Sequence, residues 1–228
     1  MRARQIVAMP RGFFITFEGS EGCGKSTQIQ RLAARLGKLG QPVVLTREPG
    51  GTPIGEQIKH LLQFSKDGHA MKPQTELLLF TASRAQLVRE LIEPALAAGS
   101  IVIADRFLDS TTVYQGVARN IEEPTVRFIN DFAVGTCKPD ITFVLDLDPA
   151  VARQRLLRRP RPLGEFDRME QEPMAFYERV RAGYLKLAKS EEARIHVVDA
   201  SQSVDAIEQA IWQQLEKKLD GIFKEHRV

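Results

Sequence analysis

Apolar residues along this chain come in two rhythms. Short runs occupy 13–18 (Phe-Phe-Ile-Thr-Phe-Glu), 42–46, 101–104, 141–145 and 195–198, each bounded by glycine, proline or charged residues. Runs of that length read as strands buried on both faces. Between them apolar positions recur every three to four residues, the period of a helix with one buried stripe. These stretches are about 25–38, 53–64, 73–98, 109–118, 123–135, 149–158, 172–189 and 203–219. Pro73 suits a first helical turn and Gly99 a stop, Pro94 is a potential kink, and Asp148-Pro149 reads as a cap. Buried strands alternating with helices predict an α/β fold of three α/β/α layers, with a five-stranded parallel sheet and helices on both faces. Functional groups of such a sheet gather at the strands' carboxyl ends, where Glu18, Arg47, Asp105, Asp146 and Asp199 fall. Residues 1–12 read as an N-terminal extension, 13–220 as a single domain and 221–228 as a frayed C-terminal tail; no repeat or low-complexity linker divides them.

Composition narrows this picture only slightly. The 228 residues are 43% hydrophobic and 27% charged, which suits one globular domain with a full core, although length alone also admits two. Much of the formal charge of +3 sits in a cluster between Arg153 and Arg168, so it does not read as a nucleic-acid surface. No apolar run approaches the ~18 residues of a membrane span. The four-residue apolar patch near the N-terminus is too short for a signal peptide. Cys23 and Cys137 lack metal-ligand spacing, and His60, His69, His196 and His226 are scattered, so a reducing cytoplasm is the expected compartment.

The chemistry starts at Gly19, Ser20, Glu21, Gly22, Cys23, Gly24, Lys25, Ser26 and Thr27. This is Gly, four residues, then Gly-Lys-Ser, between a strand pattern and a helix pattern, the context a phosphate-binding loop requires. Glycines let backbone N–H groups face inward around polyphosphate at a helix N-terminus. Lys25 is placed to reach the β- and γ-phosphates, and the Ser26 hydroxyl to ligate Mg²⁺. A nucleoside triphosphate is therefore the expected ligand. Asp105 ends the third apolar run, where a carboxylate can hold Mg²⁺ through water, or else cap a helix. Arg106 follows it where hydrolytic motors often carry glutamate, which favours transfer to a second anionic substrate over hydrolysis.

Other positions leave two readings open. Phe80 and Arg84 share a face with Leu87 and Leu91, either presenting a ring and a guanidinium to a planar base, or as core aromatic and outward-snorkelling cation. Thr111 and Gln115, with Tyr114 close by, read as a base-edge surface or a solvated helix face. Glu21 inside a phosphate loop faces either an acceptor hydroxyl, an arginine or solvent. Arg153, Arg155, Arg158, Arg159, Arg161 and Arg168 surround Pro160, Pro162 and Gly164, the composition of a mobile arginine-rich lid (about 158–170) or of a solvated basic loop.

The combination of that loop with Thr46-Arg47-Glu48-Pro49-Gly50-Gly51-Thr52, Phe80-Thr81-Ala82-Ser83-Arg84, Asp105-Arg106 and Tyr114-Gln115-Gly116 resembles bacterial thymidylate kinases. Phe166-Asp167-Arg168-Met169-Glu170 and Tyr177-Glu178-Arg179-Val180-Arg181 extend the likeness across roughly Phe13 to Ala200. The resemblance implies transfer of the γ-phosphoryl of ATP to thymidine monophosphate, with Mg²⁺ held by Ser26 and Asp105, in a homodimer. Kinases for another deoxynucleotide or nucleoside, and a non-catalytic nucleotide switch, are the alternatives. It places Phe80 against thymine, Arg84 at the base and phosphate, Thr111 and Gln115 near the base, and Tyr114 beside the sugar, where it crowds a ribose 2′-hydroxyl. Arg106 maps to the acceptor phosphate, Glu21 to the sugar hydroxyls, and Arg47 and Pro49 to the acceptor pocket, with a cis bond before Pro49 as one option. Gly22 stands where some members carry an arginine. This implies the subgroup whose catalytic arginine comes from the lid, here Arg159 or Arg161, beside Lys25 and Arg106. Phe107 departs from the tyrosine or histidine frequent at its position.

Overall fold

A computed structural model describes residues 11–65, 68–158 and 167–225. In chain order the elements are β1 (Phe13–Glu18), α1 (Lys25–Lys38), β2 (Val43–Arg47), α2 (Pro53–Phe64), α3 (Pro73–Leu87), α4 (Glu93–Ala97), β3 (Ile101–Asp105), α5 (Leu108–Thr111), α6 (Glu123–Val134), β4 (Ile141–Asp146), α7 (Pro149–Leu157), α8 (Met174–Ser190), β5 (Ile195–Asp199) and α9 (Val204–Glu225). The strands form one parallel sheet in the order β2-β3-β1-β4-β5.

The central strand shows why both faces are covered. Successive side chains of a strand point to opposite faces. Phe13, Ile15 and Phe17 pack with Ile29, Leu32 and Leu36 of α1 and Ile207, Ile211 and Leu215 of α9. Phe14 faces the other way, toward Leu87, Val88, Ile92 and Phe107, and meets the Phe107 ring edge-on at 4.9 Å. Val144 of β4 continues that second layer beneath Val180 and Tyr184 of α8. Each fully buried side chain of this kind contributes about 1.5–3 kcal/mol. Two buried hydroxyls inside the sheet, those of Thr16 and Thr142, bond to each other at 2.7 Å.

Three helical expectations are corrected. The 73–98 pattern is interrupted by a π-helical turn at Val88–Ile92 before α4. Pro94, which lacks the N–H that would continue an α-helix, follows directly, and wide turns are one known response to such a defect. The 109–118 segment is α-helical only to Thr111 and π-helical over Thr112–Ala118. The last helix runs to Glu225 instead of ending near residue 219; Ile222 and Phe223 carry on the spacing set by Leu215 and Leu219. Asp148 caps α7, accepting from Ala150 N at 2.9 Å. Among the described residues no helix is long and apolar enough to cross a membrane.

Candidate active site

Register alone assembles the rim. Phe17, Arg47 and Asp105 lie side by side across β1, β2 and β3, and Asp146 pairs with Asp199. Beyond β1 the chain turns through Gly19 and Gly22, both at positive φ. A Cβ at Gly22 would stand 2.4 Å from the Ala152 carbonyl oxygen, so no side chain fits there. Cys23 is buried in the core behind the loop. Lys25 opens α1 and donates from Nζ to the Gly19 and Ser20 carbonyls at 3.1 and 3.0 Å. The Ser26 hydroxyl donates to Asp105 Oδ2 at 3.2 Å, which brings the two expected metal ligands together.

Two adjoining hollows open at this rim. A wide cleft is lined by Gly22, Gly24, Lys25, Ser26, Thr27, Arg47, Asp105 and Arg155. A smaller one is lined by Phe80, Arg84, Thr111, Tyr114 and Gln115, an aromatic ring among convergent polar groups, as ligand sites have. Glu21, Glu48, Pro49, Arg106 and Asp167 line both. The Glu48–Pro49 peptide bond is cis.

Arg106 occupies the junction with a left-handed backbone, φ 71°, its N–H bonded to the Phe17 carbonyl at 2.9 Å. Its guanidinium donates to Glu21 at 2.6 Å, Tyr114 at 3.2 Å and Ser110 at 3.1 Å. Glu21 therefore faces an arginine instead of solvent. Burial raises its carboxyl, but the Arg106 and Lys25 cations outweigh that and hold it below the ordinary value.

Beneath Arg106 lies Glu18, fully buried. It accepts from Phe107 N at 2.8 Å, the Ser110 hydroxyl at 2.6 Å and the Tyr184 hydroxyl at 2.7 Å. Loss of hydration, with Asp109 nearby, pushes its carboxyl up to about 7. Asp167, on the wall between the hollows, is raised to about 6 by burial and by the neighbouring carboxylates of Glu170 and Glu21.

Phe80 is half-buried, whereas Arg84 is buried, reversing the core-aromatic alternative. Nε and Nη2 of Arg84 bind the Glu48 carboxylate, Nη1 donates to Thr111 at 2.9 Å and Asn130 at 2.8 Å, and Nη2 also donates to the Phe107 carbonyl at 3.1 Å. Its N–H groups are thus committed to protein partners. Arg47 pairs with Glu56 at 2.7 Å. Arg168, grouped with the lid in the sequence, pairs with Glu76 at 2.6 Å and donates to the Leu62 carbonyl. Arg159 and Arg161 lie outside the described residues. Among the described residues no group of three or more His, Cys, Asp or Glu side chains could hold a metal.

Sequence reasoning missed Glu48, Asn130, Ser110, Tyr184 and Asp167. Glu48 and Asp167 lie in quoted motifs, which is a signal of sorts; Tyr184, on α8, carries none.

The family profile described as thymidylate kinase matches residues 17–211. A thymidylate kinase of Syntrophotalea carbinolica is 48% identical over 202 residues, spanning 88% of this chain and 93% of that protein. One of Deinococcus radiodurans is 46% identical over 204 residues, 90% and 96% of the two chains. The crystal structure of thymidylate kinase from Ehrlichia chaffeensis superposes with a TM-score of 0.72 at 36% identity, covering 91% of this chain and 99% of that one.

Proposed function

Because this chain belongs to the thymidylate kinase family, we propose that its two adjoining hollows are the donor and acceptor sites of one phosphoryl transfer, from ATP to thymidine monophosphate. The observation that carries the assignment of sites is their shared wall: Glu21 and Arg106 border both the phosphate-loop cleft and the aromatic hollow. Two anionic substrates can meet only where cations outweigh their repulsion, and such transfer is mostly positioning and electrostatic stabilisation.

In this reading Lys25 exchanges its bonds to the Gly19 and Ser20 carbonyls for the β- and γ-phosphates. Arg106 holds the acceptor phosphate, Glu21 turns to the sugar hydroxyls, and Tyr114 crowds a 2′-hydroxyl. Phe80 stacks on thymine, with Thr111 and Gln115 at its edge. Arg84 acts from behind, aligning Glu48 and Thr111, and reaches the base or phosphate by releasing one of those bonds. Arg47 and Pro49 close the acceptor side. Ser26 and Asp105 present hard oxygen donors one hydrogen bond apart, which suits Mg²⁺ retaining water and phosphate ligands. Bound there, the ion would neutralise charge on the β- and γ-oxygens. Arg159 or Arg161 completes the site from the lid.

A homodimer belongs to the same proposal. Phe128 and Phe132, one turn apart on α6, are 74% and 81% exposed, and α6 packs against α3, whose Leu78 is also exposed; these are apolar side chains that a second copy would cover. Two unpaired buried thiols, Cys23 and Cys137, support a reducing cytoplasm. A coupled assay of ADP formation over a panel of nucleoside monophosphates tests the substrate: turnover should be fastest with thymidine monophosphate, and equal turnover with ribonucleotides would refute it.

A further inference from the structure

Glu76 on α3 is 1% exposed, yet no substrate-facing role falls to it. Three side chains converge on its carboxyl. Gln115 donates from Nε2 to Oε1 at 2.7 Å, Arg119 donates to Oε1 and Oε2 at 3.1 Å each, and Arg168 pairs with Oε2 at 2.6 Å. Burial raises this carboxyl, but the bonds from Arg119 and Gln115 and the charges of Arg119 and Arg168 outweigh it, so it stays below its ordinary value. Glu76 is therefore ionised, and an ionised carboxylate only accepts hydrogen bonds.

That fact fixes the amide of Gln115. A flipped amide would set its oxygen against a carboxylate oxygen with no proton between them. The carbonyl oxygen is the amide atom kept away from Glu76, and no described residue donates to it. Gln115 is 2% exposed and lines the aromatic hollow with Phe80, Thr111 and Tyr114. An acceptor held in that wall favours a base edge that presents a donor. Thymine and uracil carry N3–H; cytosine has a bare acceptor at N3. A buried acceptor facing another acceptor is left unpaired, and sites built on such hydrogen bonds reject the mismatched analogue strongly.

We propose that Glu76 is a specificity-positioning residue, which orients the Gln115 amide so that the acceptor hollow takes pyrimidines bearing N3–H and rejects cytosine. This rests on reading the hollow as the site of the acceptor base.

The test is the ratio of kcat/KM for dTMP to that for dCMP in a double-mutant cycle, with thermal stability followed alongside. Glu76→Gln offers both donor and acceptor and frees the amide to flip. The ratio should fall by roughly tenfold to a hundredfold. Gln115→Leu should lower the ratio too, and combining the two should add nothing further. If Glu76→Gln weakens both substrates equally while Gln115→Leu lowers the ratio, Glu76 is only structural and the proposal fails. If Gln115→Leu leaves the ratio unchanged, the placement of the base itself is wrong. Should Glu76→Gln not fold, neutron diffraction of the deuterated wild-type protein with dTMP serves instead. Deuterons of Gln115 on Glu76, with its oxygen at N3, support the proposal; an ND₂ group facing the base overturns it.

Discussion

Arg106 is held by the carboxylate of Glu21 and by the hydroxyls of Ser110 and Tyr114, with its guanidinium 5.0 Å over the Tyr114 ring. Removing one partner of a buried charged pair costs about 2–5 kcal/mol. Arg106→Ala should therefore raise KM for thymidine monophosphate far more than KM for ATP. Steady-state kinetics with unchanged acceptor KM would contradict its placement. Glu18 gives a pH-dependent expectation. Its folded carboxyl titrates near 7 against an ordinary 4.5, so between those values the folded state binds more protons than the unfolded one. Stability from this group is therefore full below the lower value, lost as pH rises through the upper, and level above it. Relative to wild type, Glu18→Gln should gain up to about 3 kcal/mol on going from acid to alkaline conditions, since a tenfold difference in proton affinity is worth about 1.4 kcal/mol. Urea titrations at about pH 5 and about pH 8 check this; a constant difference between the proteins would contradict it. The sequence showed Arg84 interrupting an apolar stripe but not what satisfies it. Its partners Glu48 and Asn130 are 36 and 46 residues away, and local spacing carries no trace of such pairs.

At the scale of elements, the strands and the phosphate loop were legible because their signals are local: unbroken apolar runs, and glycines at turns of positive φ. The two π-helical turns were not, since their apolar spacing hardly differs from that of an α-helix over so few residues. The second of them matters to the site, because Tyr114 and Gln115 both belong to it. The lid is the element whose chemistry rests on composition alone. Replacing Arg159 and Arg161 together by alanine should reduce kcat about 100-fold or more, with little change in ATP affinity, as loss of a contact made in the transition state does. Full kcat in that variant would move the role to another arginine. On α6, Phe128→Ser with Phe132→Ser should shift sedimentation from dimer to monomer without lowering thermal stability of the subunit. Unchanged sedimentation would exclude this face as the interface.

For the whole molecule, a five-stranded parallel sheet explains how residues distant in sequence reach one rim. Glu18, Asp105 and Arg106 are neighbours because β1 and β3 are adjacent and Phe17 pairs with Asp105, although α1 to α4 and β2 intervene in the chain. The order of the strands was not legible: five apolar runs predict a sheet, but nothing within a run names its neighbour. The site's charge balance is likewise a property of the assembled fold, with Glu21 answering Arg106 and Glu76 answering Arg119 and Arg168. The most direct measurement is a crystal structure of the protein with thymidine monophosphate and a non-hydrolysable ATP analogue bound together. The triphosphate should be cradled by the backbone of residues 19–27 and thymine should lie on the Phe80 ring, with Arg106 on the acceptor phosphate between them. Thymine lodged anywhere else, with the hollow beside Phe80 empty, would contradict this.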